Sequence, residues 1–175
     1  MKKITRNQAI SMFRILGTMA LGHMDEETLT ATLDNFGKFR KVQEDYQKLA
    51  EELGKRIYEG TDEEKKKAFF EVVGKFEQEK DFEKKVELEK LMKEAHPDFY
   101  PLYVKQITVL NKMFVKEIEV DITEVEKDAF IKGIVKGKKD IPVHEIVAVF
   151  GPLFKEEEKK EEKQDFSELD ELLKD

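Results

Sequence analysis

The chain contains no cysteine, no tryptophan and only 4 prolines among its 175 residues. Without cysteine there is no disulfide, no thiolate metal ligand and no thiol nucleophile, which fits an intracellular protein. Long hydrophobic runs are missing as well. Stretches such as Ile146 to Phe150 fall far short of the roughly 20 residues a membrane helix requires. Lys2 and Lys3 open the chain, but Arg6 and Arg14 break up the segment behind them and no small-residue cleavage site follows an apolar run. The start therefore reads as folded protein and not as a signal.

Patterns that carry chemistry are equally sparse. Gly133 and Gly137-Lys138-Lys139 come near a phosphate loop, but that motif sets four residues between its glycines and a hydroxyl after its lysine. Here three residues intervene and Lys139 fills the hydroxyl position. Gly133 to Lys139 reads as an exposed basic loop, whose Lys136, Lys138 and Lys139 form, with Lys132 just before it, a weak anion-binding patch for an acidic partner or a phosphate backbone. His23, His96 and His144 are scattered, and His144-Glu145 lacks the second histidine that a zinc-protease helix needs four residues after the first. The carboxylates mostly stand beside lysines at helical surface spacing, where they stay solvated. No catalytic residue, metal site or cofactor is expected.

What the chain does have is charge and phenylalanine. Charged residues make up 41% and hydrophobic ones 39%, a ratio that suits elongated helices better than a compact globule. The bulky apolar anchors are mostly the 13 phenylalanines. Net charge is −7, and the tail from Lys155 to Asp175, with ten acidic residues against five lysines, carries −5 of it. A basic nucleic-acid footprint is missing, so nucleic acid is a poor partner, and a charge-steered partner of the tail would carry a basic patch.

Hydrophobic periodicity predicts a mainly α protein. Thr5 with Gln8 has the spacing of a capping box, and Ile4 with Ala9 that of a hydrophobic staple. The helix they start carries Met12, Phe13, Leu16, Met19 and Ala20 on one stripe and stops at Gly22. Asp25 caps a second helix, in which Leu29, Leu33, Phe36, Phe39, Val42, Tyr46, Leu49, Leu53 and Ile57 recur at near-heptad spacing up to Glu59, with a kink expected at Gly37. Gly60 ends that helix and Thr61, with Glu64 three residues on, starts the next; so short a link favours antiparallel neighbours.

The returning arm, Thr61 to Ala95, places Phe69, Val72, Val73 and Phe76 on a stripe toward the first arm. A six-residue step from Phe76 to Phe82 then breaks the register and suggests a restart capped by Asp81. Beyond His96-Pro97, Tyr103, Ile107, Leu110 and Phe114 mark a strongly apolar helix expected to be central. At Ile118, Val120 and Ile122 the period changes to two, the pattern of a strand, with Lys2-Lys3-Ile4 as its expected partner. A short helix near Glu126 to Lys132 follows. A last one opens at Ile141-Pro142, with Val143, Ile146, Val147 and Phe150 on its apolar face.

The expected organisation is a helical domain over 1–154, from which 25–95 projects as a long antiparallel helical hairpin, with a minor two-stranded β element pairing 2–4 with 117–122. A charged linker over 155–163 and an acidic amphipathic segment over 164–175 follow. In that segment Phe166, Leu169, Leu172 and Leu173 stand at helical spacing among Asp165, Glu168, Asp170 and Glu171. Such a segment suits a hydrophobic groove with a basic rim, whether on a partner in trans or on its own domain in cis.

Several stretches taken together resemble a family of small phage-encoded proteins of unknown function. They are Lys3-Ile4-Thr5-Arg6-Asn7-Gln8-Ala9-Ile10, the long charged helix ending near Ile57, Leu110-Asn111-Lys112-Met113 running into Ile118-Glu119-Val120-Asp121-Ile122, and the Ile141-Pro142 helix. The resemblance covers the two ends of the body; Thr61 to Ala95 would be an insertion, and the tail has no counterpart. It implies a phage setting, in the bacterial host cytoplasm or within a phage particle, and brings no catalytic residues.

The reading that results is a non-enzymatic protein–protein interaction protein, a phage assembly factor or minor structural component, with no role at a membrane. Two alternatives stay open. One is an acidic inhibitor of a host nucleic-acid enzyme or defence system that imitates nucleic acid. The other is a coiled-coil protein whose arms pair between chains into a homo-oligomer.

Overall fold

The computed structural model describes residues 1–137 and 143–155. The chain runs from β1 (Lys2–Thr5) into α1 (Arg6–Leu16), then through α2 (Glu26–Ile57), α3 (Glu63–Gln78), α4 (Phe82–Ala95) and α5 (Tyr100–Phe114) to β2 (Glu117–Val120). It closes with α6 (Lys127–Gly137), α7 (Val143–Phe150) and a 3-10 turn at Gly151–Leu153. The architecture is mainly α with one two-stranded antiparallel sheet, in which Lys2 stands opposite Val120 and Thr5 opposite Glu117. That pairing ties the amino terminus to the late strand, as the alternation predicts. The strand stops at Val120 and not at 122, because the Ile122 N–H turns back onto the Val120 carbonyl at 3.0 Å.

Helix starts follow the capping residues. Thr5 and Gln8 form the complete capping box, the Gln8 N–H donating to the Thr5 hydroxyl at 3.1 Å and the Thr5 N–H to Gln8 Oε1 at 2.8 Å. Asp25 and Asp81 cap α2 and α4 through the N–H groups of Thr28 and Lys84. One start is displaced: Asp62, not Thr61, caps α3, accepting from the Lys65 N–H at 2.9 Å. The Thr61 hydroxyl is engaged elsewhere, donating to the Tyr58 carbonyl at the end of α2. Gly60 between them takes φ +74, a left-handed conformation that only glycine adopts without strain.

Two helix ends differ from expectation. The first helix stops at Leu16, with Gly17 as its cap, and not at Gly22. The reason is local: the Thr18 hydroxyl takes the Ile15 carbonyl at 2.8 Å, offering the backbone an alternative to another helical turn. Conversely, α6 continues through Gly133 to Gly137, so the expected basic loop is helix over that stretch. Gly133 is a buried packing position, not a breaker; a Cβ there would overlap Met24 Cγ and stand 3.2 Å from Met24 Cα. α2, by contrast, keeps its length of 32 residues, about 48 Å at 1.5 Å per residue, and runs unbroken through Gly37 and Gly54.

Two apolar cores form, at opposite ends of α2. The first joins Ile4 and Val120 of the sheet, Ala9, Met12 and Leu16 of α1, Ala31 and Phe39 of α2, Phe130 and Ile134 of α6, and Ile146 and Phe150 of α7. The second is aromatic: Phe69 and Val73 of α3 meet Met92 of α4, Phe99 and Tyr58. Phe69 is fully buried, with the rings of Phe70, His96, Phe99 and Tyr103 all within 5.9 Å of its own. The returning arm is thus folded in two at Glu79–Asp81, and its stripe meets α4 and the far end of α2.

Candidate interaction surface

Between the two cores α2 and α5 form a ribbon. They run antiparallel, since the Tyr58 hydroxyl donates to Gln106 Oε1 at 3.1 Å while Tyr46 and Phe114, further along, bring their rings to 5.4 Å. Burial pushes the Tyr58 phenol up to about 12, with Tyr103 nearby adding to the effect, so the hydroxyl stays a donor throughout the neutral range. α1 continues the line of α5 along α2. The Arg6 guanidinium donates to the Met113 carbonyl at 2.7 Å where the two helices meet end to end, and Phe13 stacks on Phe36 at 5.0 Å.

Here the structure corrects the placing of the apolar helix. α5 is not central: none of its 15 residues is buried, although Leu102, Tyr103, Val104, Ile107, Val109, Leu110, Met113 and Phe114 are apolar. Tyr103, Leu110, Met113 and Phe114 are half-buried, whereas Val104 remains 43% and Ile107 36% exposed, and Val115 just past the helix 65%. Val104, Ile107, Asn111 and Val115 follow helical spacing along the outward side. One position further round stand Lys105 and Lys112, with Lys116 two residues beyond the helix end. No acidic residue occurs between Asp98 and Glu117. None of the three lysines makes an ion pair with a described residue. α5 therefore presents an exposed apolar row beside a basic one.

A groove of about 870 Å³ lies where the start of α2 meets the segment from Thr123 to Ala129. Asp25, Glu26, Glu27, Asp34, Glu124 and Glu126 line it. Three of these carboxylates are already engaged, Asp34 with Lys38 at 2.6 Å, Glu124 with Lys2 at 2.7 Å and Glu126 with Lys155 at 2.7 Å. Lys38 and then the Thr123 hydroxyl hold the Asp34 carboxyl below its ordinary value, and Lys2 does the same for Glu124. Behind them Asn35, fully buried, donates to the Thr123 carbonyl at 2.7 Å and accepts from the Thr123 N–H at 2.9 Å. This bridge fastens the turn after β2 to α2. Nothing in the sequence marks Asn35, because its partner lies 88 residues away.

Of the residues singled out from the sequence, Lys132 is exposed on α6 and Lys136 lies in the same helix, while Lys138 and Lys139 lie outside the described residues. Phe166, Leu169, Leu172 and Leu173, with Asp165, Glu168, Asp170 and Glu171, also lie outside them. Among the described residues no group of His, Asp or Glu has an arrangement that would hold a metal ion, and no helix is long and apolar enough to cross a membrane. No protein-family profile, curated protein or solved structure matches this chain.

Proposed function

We propose that this protein is a non-enzymatic protein–protein interaction protein whose docking surface is the outer side of α5. One observation carries the reading: a 15-residue apolar helix is held against α2 with no residue buried. Apolar surface that a fold leaves uncovered beside a row of like charge is the usual composition of a recognition face. In the phage setting that the resemblance implies, the protein would act as an assembly factor or minor structural component. The test is substitution of Val104→Glu together with Ile107→Glu, both at exposed positions. Co-purification of the bound partner is expected to be lost while the melting temperature stays within about 3 °C of the parent. Undiminished co-purification would overturn the reading.

Homo-oligomerisation is the second reading, favoured by Leu49, which leaves α2 45% exposed within its heptad row. Light scattering separates the two, since a dimer that dissociates on Leu49→Glu places the partner surface on α2. Nucleic-acid imitation draws on the acidic groove, but three of its six carboxylates already hold lysines, which leaves few to occupy phosphate sites.

A further inference from the structure

We infer that the outer side of α5 is covered by this chain's own acidic segment, residues 164–175. The inference rests on the reading of α5 as a docking surface and names what occupies it. Charge complementarity is its first support. Lys105, Lys112 and Lys116 border an apolar row on α5 with no ion pair to a described residue, whereas Asp165, Glu168, Asp170 and Glu171 border Phe166, Leu169, Leu172 and Leu173 in the tail. Each surface supplies what the other lacks.

Chain length is the second support. The described residues end at Lys155, whose N–H donates to the Val125 carbonyl, and the Phe154 carbonyl accepts from Lys2, the residue opposite Val120 in the sheet. From Val120, β2 leads straight back to Lys116 and Val115 at the end of α5. A four-residue strand is only about 13 Å long. Ten residues, 156–165, separate Lys155 from Phe166. Extended, such a spacer reaches at most about 36 Å, so the row on α5 lies within range of the tail.

A tail held in this way is a built-in competitor, which an outside partner must displace to reach α5. Because the chain has no cysteine, paired substitutions report the contact cleanly. Ile107→Cys with Leu169→Cys, and separately Val104→Cys with Leu172→Cys, are oxidised in the full chain and resolved without reductant. The expected product is an intramolecular disulfide in a single chain, forming at least about tenfold faster than in a control that joins Leu169→Cys to Leu33→Cys. Leu33 is 51% exposed on α2 but outside the basic row. Adding Lys105→Glu and Lys112→Glu is expected to slow the reaction about tenfold. Equal rates for test and control pairs, an interchain disulfide, or a rate unaffected by the lysine reversals would each overturn the inference. Since oxidation needs no partner, failure here with partner binding still lost on Val104→Glu and Ile107→Glu would remove the occupant and leave the docking surface standing.

Discussion

The Asp25 carboxylate takes the Thr28 N–H at 2.8 Å and the Thr28 hydroxyl at 2.9 Å, closing the first turn of the longest helix in the chain. Both bonds, the backbone one foremost, favour the ionised form and hold the carboxyl below its ordinary 3.8. A depressed value in the folded state contributes stability that is complete above the ordinary value and is lost as pH falls through the lower one. Asp25→Ala is therefore expected to lower the urea midpoint near neutral pH. Its deficit against the parent should close as the pH is taken below about 4, because protonation removes from the parent what the substitution has already removed. Urea titrations at several pH values measure this directly. A deficit that stays constant into acid would show that the carboxylate is not the operative cap.

At the scale of the element, α2 carries one glycine, Gly37, that its packing does not require. A Cβ at Gly37 would meet nothing within 4 Å, and the helix continues through it without interruption. Gly37→Ala is accordingly expected to raise stability by about 0.5–1 kcal/mol, read as a higher urea midpoint at unchanged slope, because alanine loses less backbone freedom on folding. A lower midpoint would show that the backbone at this point needs the freedom of glycine. Gly133 has the opposite character, and the two cannot be told apart from sequence: the approach of Met24 that demands glycine comes from over 100 residues earlier in the chain. The same distinction explains what was legible. Thr5, Asp25 and Asp81 announce helix starts because a cap acts within four residues, and the alternation at Ile118 and Val120 announces a strand because period two belongs to the strand itself. The burial of α5 was not legible, since steps of three and four describe a helix face without saying what lies against it. The docking row was hidden for the same reason, although the lack of acidic residues between Asp98 and Glu117 was there to be seen.

For the whole molecule the decisive relation is between the two cores. Val42 packs against the first and Ile57 against the second, while Tyr46, Leu49 and Leu53 of α2 belong to neither. Ile107, Val109, Leu110, Met113 and Phe114 of α5 belong to neither as well, so the half-buried ribbon is what couples the ends. Coupling through so little buried surface is weak, and segments with separate cores open as separate units. Phe69→Ala tests this. The ring is fully buried among four others, and its removal is expected to cost about 3 kcal/mol or more. If the ends open independently, amide exchange in α3 and α4 should accelerate roughly a hundredfold, the equivalent of that loss, while the amides of β1, α1 and the first turns of α2 keep their protection. A uniform acceleration across both ends would mean that the ribbon transmits the whole loss and the chain unfolds as one unit. Independent opening would also bear on α5, because a docked segment on the ribbon would then add covered area at the place where the two cores are least firmly joined.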